Sequence, residues 1–192
     1  MHILNRCKEL LKHAYLKRHD QVLKCFFNEV LLKYNLINKC PPWFTQSEIK
    51  PYYENDVACM WWDIPEFAMA STDDEEKVYR PDGKLKLKNE KRIYIIEITI
   101  SWIDNREVRY VEKCGKYEDI KRNIKRVEPD HQVDQITLVM DSLGGYSKSL
   151  NENIGKIFEN KTMVRKIIQK MQKAALSEAV NILRRFKLST QS

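Results

Sequence analysis

The sequence predicts an α/β fold in which N-terminal helices lead into a mixed β-sheet and a long helix closes the chain. Three observations carry that expectation. Arg92 to Ile100 reads Arg-Ile-Tyr-Ile-Ile-Glu-Ile-Thr-Ile, a near-continuous β-branched and aromatic run suited to a buried central strand. On either side of the strand region, apolar residues recur at three- and four-residue steps, the period of an amphipathic helix. The segments follow one another as helix, strand, strand, strand, helix, strand, so the last two strands should pair in parallel through a right-handed crossover.

Taken in order, the chain opens with helical periodicity over Asn5–Leu16 and again over Arg18–Leu36, where Val22, Cys25, Phe26, Val30 and Tyr34 form the apolar face. Arg18-His19-Asp20 begins the second of these, with Asp20 placed to complement the helix dipole. Pro41-Pro42 closes the helical region, because proline lacks an amide donor and disfavours helix in the residue before it. After a loop, Val57–Trp62 is a short strand ended by Asp63-Ile64-Pro65, with at least one of Trp61 and Trp62 in the core and either able to stack on a base. Ser71–Lys77 is acidic and polar and reads as a loop or turn.

The Arg92–Ile100 strand is reached from Arg80-Pro81-Asp82 through a turn at Gly83 or at Lys88-Asn89-Glu90. Asn105–Val127 is a long helix with a break at Gly115, apolar at Val108, Val111, Tyr117, Ile120 and Ile124, and basic at Arg106, Arg109, Lys113, Lys116, Lys121, Arg122, Lys125 and Arg126. Pro129 stops it. Gln135–Met140 is another buried strand, closed by Asp141-Ser142-Leu143-Gly144-Gly145. Helices over Ser149–Phe158 and Lys161–Phe186 complete the chain, the second with Val164, Ile167, Ile168, Met171, Ala174, Ala175 and Leu176 on its apolar face. No repeat, P-loop or dinucleotide fingerprint is present.

Bulk properties narrow the function. The 192 residues suit one domain with a proper core, and 43% hydrophobic with 32% charged residues is a globular composition. A net charge of +7 favours a polyanionic partner, DNA or RNA before an anionic membrane. No run approaches the ~18 apolar residues of a membrane span, and the N-terminus lacks a signal-peptide pattern, so an intracellular protein is expected. The 5 cysteines, at positions 7, 25, 40, 59 and 114, do not form a disulfide framework and read as reduced thiols.

Glu97 is the residue that demands chemistry. A carboxylate inside a buried strand costs several kcal/mol unless it meets a cation, a donor or a metal ion. Two antiparallel strands joined by a turn would bring Asp82 to the same end of the sheet as Glu97. Two carboxylates together with a phosphate oxygen suit Mg²⁺, which takes oxygen ligands and keeps several waters.

Read together, Lys17-Arg18-His19-Asp20, Arg80-Pro81-Asp82, Glu97 and Lys113-Cys114-Gly115-Lys116-Tyr117 resemble, in that order, the motifs of the PD-(D/E)xK restriction-like endonucleases, in the version carried downstream of the reverse transcriptase by site-specific non-LTR retrotransposons. The resemblance covers residues 2 to 145, with the C-terminal helix also in character, and implies the αβββαβ nuclease core. It departs at one position, where the usual Glu-x-Lys would have lysine and this chain has Thr99. In the retrotransposon branch the lysine sits on the following helix, which Lys113 or Lys116 matches.

The resemblance implies a nuclease that nicks a chromosomal target so that the reverse transcriptase can extend the freed 3′ end. Asp82, Glu97 and the Ile98 carbonyl would hold Mg²⁺, with Mn²⁺ as a substitute, and Lys113 or Lys116 would act on the attacking water. Arg18, His19, Arg80, Lys116, Lys121 and Arg122 would contact DNA, with Asp20 and Tyr117 in support. His2 and Cys7 match the second half of a zinc knuckle, so residues 1–16 would end a knuckle and linker region and 17–192 would form the nuclease domain. Two ligands do not close a zinc site, so no zinc is expected here. The implied partners are target DNA, the upstream reverse transcriptase and knuckle, and RNA, in the nucleus, with no membrane. A second expectation, kept open by Thr99, is a nuclease fold that has lost catalysis and serves as a binding platform.

Overall fold

A computed structural model describes residues 4, 11–45, 48–69 and 76–189. The proposed knuckle residues His2 and Cys7, residues 5–10 of the first expected helix, and 71–75 of the expected acidic loop lie outside the described residues.

A π-helical stretch, Leu11–Tyr15, runs without a break into helix α1, Leu16–Lys33. The sequence led us to expect a separate second helix with Asp20 in its first turn. Instead, no acidic residue occupies the first turn of α1, and Asp20 bonds its neighbour His19. The apolar stripe is as expected: Val22, Phe26 and Val30 are fully buried, with Cys25 and Tyr34 nearly so. The helix ends before the prolines. Asn35 adopts φ +54°, and its amide and that of Leu36 donate back to Leu32 and Leu31, so a Schellman closure stops α1 without proline.

Five strands form the main sheet in the order β1-β2-β5-β6-β7, from β1 (Tyr52–Glu54), β2 (Ala58–Trp62), β5 (Gly83–Leu87), β6 (Arg92–Ser101) and β7 (Gln132–Asp141). β6 and β7 are parallel and the other pairs antiparallel, so the sheet is mixed. β3 (Glu66–Met69) and β4 (Glu76–Tyr79) make a separate antiparallel hairpin. The expected loop over Ser71–Lys77 is therefore corrected at its end, where Glu76 and Lys77 belong to β4. The region after the prolines, expected as loop, also contains a strand, β1.

Between β6 and β7 a short 3₁₀ turn leads into α2 (Arg106–Cys114) and α3 (Glu118–Val127), broken around Gly115 as anticipated. After β7 come α4 (Lys148–Gly155) and the long α5 (Lys161–Ser189). The main core lies on one sheet face, where Met60, Leu85, Ile96, Ile98, Leu138 and Met140 meet α1, α4 and α5. On the other face Ile95 packs with Tyr117 and Ile120. Three expected core positions are instead exposed: Val108 at 59%, Val111 at 72% and Leu176 at 47%. Helical period groups residues on a face but does not say whether anything covers it.

Candidate functional site

The site begins with register. Gly83 pairs with Ile96, so Asp82, one residue before β5, stands at the position opposite Glu97. Glycine is required at 83, because a Cβ there would fall 2.2 Å from the Phe27 ring of α1. Just upstream, the Arg80 guanidinium grips Asp63 through two bonds of 2.7 and 2.9 Å, and the Asp63 amide donates to the Asp82 carbonyl at 3.1 Å. The turn carrying Asp82 is thus tied on both sides.

β6 runs on past the start of β5, which leaves its edge open from Ile98 onward. Asp82 Oδ2 accepts the Ile98 amide at 2.7 Å and so caps that edge. In a strand the N–H and C=O of one residue point the same way. The Ile98 carbonyl therefore faces this open edge, while the Ser101 carbonyl, three residues on, accepts the Ser142 amide on the β7 side at 2.9 Å.

Glu97 is only 3% exposed and fully engaged. Its Oε1 accepts from Lys113 and, at 3.0 Å, from Lys116; its Oε2 accepts from the Tyr117 hydroxyl. Burial pushes the Glu97 carboxyl up, but the hydrogen bonds from Lys113, Tyr117 and Lys116 outweigh it and hold the pKa below the ordinary value. Burial and the same Glu97 contact drive the Tyr117 phenol well above its usual range, so Tyr117 stays a donor.

The lysines arrive from the far side of the crossover. Arg106, at the start of α2, pairs at 3.2 Å with Asp141, which is buried at the end of β7, and Gln135 of β7 donates to the Lys113 carbonyl at 2.5 Å. These two contacts lay α2 along β7, from its C-terminal end at Asp141 back to Gln135, and the break at Gly115 turns Lys116 and Tyr117 toward Glu97.

Asp82, Glu97, Ile98, Thr99, Lys113 and Lys116 line one open cleft of about 620 Å³. Arg18 and His19 of α1 form part of its wall. His19 sits between two carboxylates, with Nδ1 3.0 Å from Asp20 and Nε2 3.5 Å from Asp82. Burial disfavours its charge, yet the bonds to Asp20 and Asp82 raise its pKa to about 10, so it is a cation at neutral pH. Burial lowers the Arg18 pKa to about 10, still leaving it charged, and its guanidinium donates to the Leu4 carbonyl at 2.9 Å.

Three of the residues expected on DNA are placed elsewhere. Arg80 binds Asp63, while Lys121 and Arg122 of α3 pair with Glu118 and Asp119 one turn back, and none of the three lines the cleft. Arg109, expected only as one of the basic residues of its helix, and Trp102, Asn105 and Tyr15, not singled out in the sequence, do line it. Arg109 had a legible signal, since it lies four residues before Lys113 and so on the same helix face; the other three had none. Thr99 also faces the cleft, with its hydroxyl buried and unpartnered among the described residues.

Among the described residues no three His, Cys, Asp or Glu side chains converge as a ligand set. The donors present are oxygens: Asp82, Glu97 and the Ile98 carbonyl. The His19 imidazole is engaged by Asp20 and Asp82, and among the described residues no thiol lines the cleft. That set does not suit zinc but fits a magnesium ion that keeps most of its waters, provided an ammonium yields its place on Glu97. No described helix is long and apolar enough to cross a membrane. Compared with known proteins, the chain matches no family model and no curated protein.

Proposed function

We propose that this chain is a metal-dependent DNA endonuclease domain of the restriction-like class, acting to nick target DNA for retrotransposon insertion. The observation that carries the reading is the meeting of Asp82, Glu97, Lys113 and Lys116 in one cleft, from the turn before β5, from β6, from α2 and from the break after it. The element order α1, β2, β5, β6, α2–α3, β7, with only the last strand pair parallel, supports an αβββαβ core.

Asp82, Glu97 and the Ile98 carbonyl would hold Mg²⁺ or Mn²⁺. Such an ion supplies a lowered pKa for a bound water and neutralises charge growing on a phosphate. The chain's own groups do the rest. Asp82 is held by the Ile98 amide and Glu97 by Tyr117, so both carboxylates are pre-oriented. One of Lys113 and Lys116 orients or deprotonates the attacking water and offsets charge growing on the phosphate, and the other serves the backbone contact. His19 and Arg109 extend that positive wall along the cleft, where a backbone phosphate would lie, with Arg109 shared with Glu112 at 2.7 Å and the buried Arg18 supporting the wall from behind. The upstream reverse transcriptase, a zinc knuckle, RNA and a nuclear location belong to the same proposal.

One observation favours a second reading. Both Glu97 oxygens are already taken by cations and a phenol, an arrangement that also suits a nucleic-acid platform without catalysis. Nicking of supercoiled plasmid separates the two. The nuclease reading expects Mg²⁺-dependent conversion to open circles that chelation stops and Asp82→Ala abolishes; the platform reading expects retention of the plasmid with no conversion.

A further inference from the structure

A second groove lies on the same sheet face as Glu97, toward the other end of β6. Lys84 pairs with Ile95 and Lys86 with Ile93, residues that share the Glu97 side of the strand. The groove, about 470 Å³, is floored by Cys59, Ile93 and Ile124 and edged by Trp61 and by Lys84, Lys86 and Lys88. None of its lining residues belongs to the cleft.

The three lysines alternate along β5 and its extension, so their stems project at a repeat of roughly 6.6–6.8 Å. That repeat is comparable to the spacing of successive phosphates along an unstacked strand. Trp61 stands at the head of the row, its ring 4.5 Å from the Lys84 ammonium and 5.2 Å from the cross-strand ring of Tyr52. This is the pairing of a cationic track with an aromatic platform that holds single strands irrespective of sequence. His131 lines the groove as well, with its Nδ1 3.2 Å from Glu128.

Charge decides between single strand and duplex. Lys84, Lys86 and Lys88 each pair with a glutamate, Glu66, Glu128 and Glu54 respectively. Partly exposed pairs of this kind are weak, and an ammonium has three donors, so a phosphate shares each lysine rather than displacing its partner. The groove is nonetheless close to neutral and has little pull on the dense charge of a duplex. Stacking on Trp61 must carry the affinity, and only unstacked bases supply it.

We propose that this groove is a binding tract for single-stranded nucleic acid, with Trp61 as the stacking surface and the β5 lysines as the phosphate track. It stands independently of the nuclease reading. The test is fluorescence anisotropy of the full chain with labelled oligothymidylate, oligouridylate and a short duplex, using wild type, Trp61→Leu and Lys86→Gln, with thermal melts showing that each variant is folded. Trp61→Leu should weaken both single strands by roughly 5- to 150-fold, the value of one lost base stack, while duplex affinity changes less than about threefold. Lys86→Gln should make the salt dependence of single-strand binding shallower by about 0.7 in log–log slope. The proposal is overturned if neither variant alters single-strand binding, or if Trp61→Leu weakens duplex and single strands alike.

Discussion

Replacing Glu97 by glutamine keeps the shape of a side chain that is 3% exposed but removes its charge and one acceptor. However the amide settles, it presents an NH₂ either to Tyr117 or to the two ammoniums, and one set of donors loses its partner. A hydrogen bond to a charged group is worth about 1.5–3 kcal/mol net. Lys113 and Lys116 are 26% and 38% exposed, so water recovers part of the loss, and a destabilisation of about 2 kcal/mol is expected at neutral pH. For a chain of this size that is a fall in Tm of roughly 4–8 °C.

The dependence on pH follows from the lowered Glu97 pKa. A carboxylate with a depressed folded-state pKa stabilises fully above its unfolded value, here 4.5, and loses that contribution as pH falls through the lower folded value. The gap between wild type and Glu97→Gln should therefore be full near pH 7 and shrink as pH falls below 4.5 toward the lower folded value. Urea melts monitored by circular dichroism at several pH values measure it. A gap that persists unchanged into acid, or a glutamine variant more stable than wild type at pH 7, would refute the assignment of Glu97 as a buried anion held by the two lysines.

Gly83→Ala should cost about 1–3 kcal/mol, because its methyl would overlap the Phe27 ring between α1 and β5, and thermal melting reads the loss directly. If the cleft tracks a DNA backbone, log affinity should fall with log salt at about −0.9 per neutralised phosphate; a flat salt titration would remove duplex DNA as a ligand. Lys113→Ala and Lys116→Ala divide the lysine question, since loss of the catalytic one should slow cleavage of bound DNA by about 10²–10⁴-fold, whereas loss of the other should mainly weaken affinity. Equal effects of both on rate alone would contradict that division.

The strand that organises the fold was legible because Ile93, Ile95, Ile96, Ile98 and Ile100 leave few other structures for such a run, and the same run made Glu97 conspicuous. The break at Gly115 and the parallel pairing of β6 with β7 followed from local sequence and chain connectivity. β1 was not legible, since three residues close to Pro51 give too short an alternation to register. The β3–β4 hairpin was hidden by the acidic stretch between its strands. At the site, sequence order pointed to Lys113 and Lys116 but not to the way Arg106–Asp141 and Gln135 fix their helix, because those contacts join residues 35 and 22 positions apart. Arg80, Lys121 and Arg122 show the converse limit: a basic residue in sequence serves a cleft only if the fold carries it there, and these three pair with acids outside it.

The most direct test of the account measures binding and cleavage in the same samples, with DNA saturated by protein at low salt and reaction started by Mg²⁺ or Mn²⁺. The account predicts that wild type nicks the bound DNA, while Asp82→Ala binds it within about threefold of wild type and leaves it intact, because a carboxylate repels phosphate and contributes nothing to affinity. Wild-type protein that cuts bound DNA no faster than Asp82→Ala under these conditions would contradict the nuclease reading and leave the platform in its place.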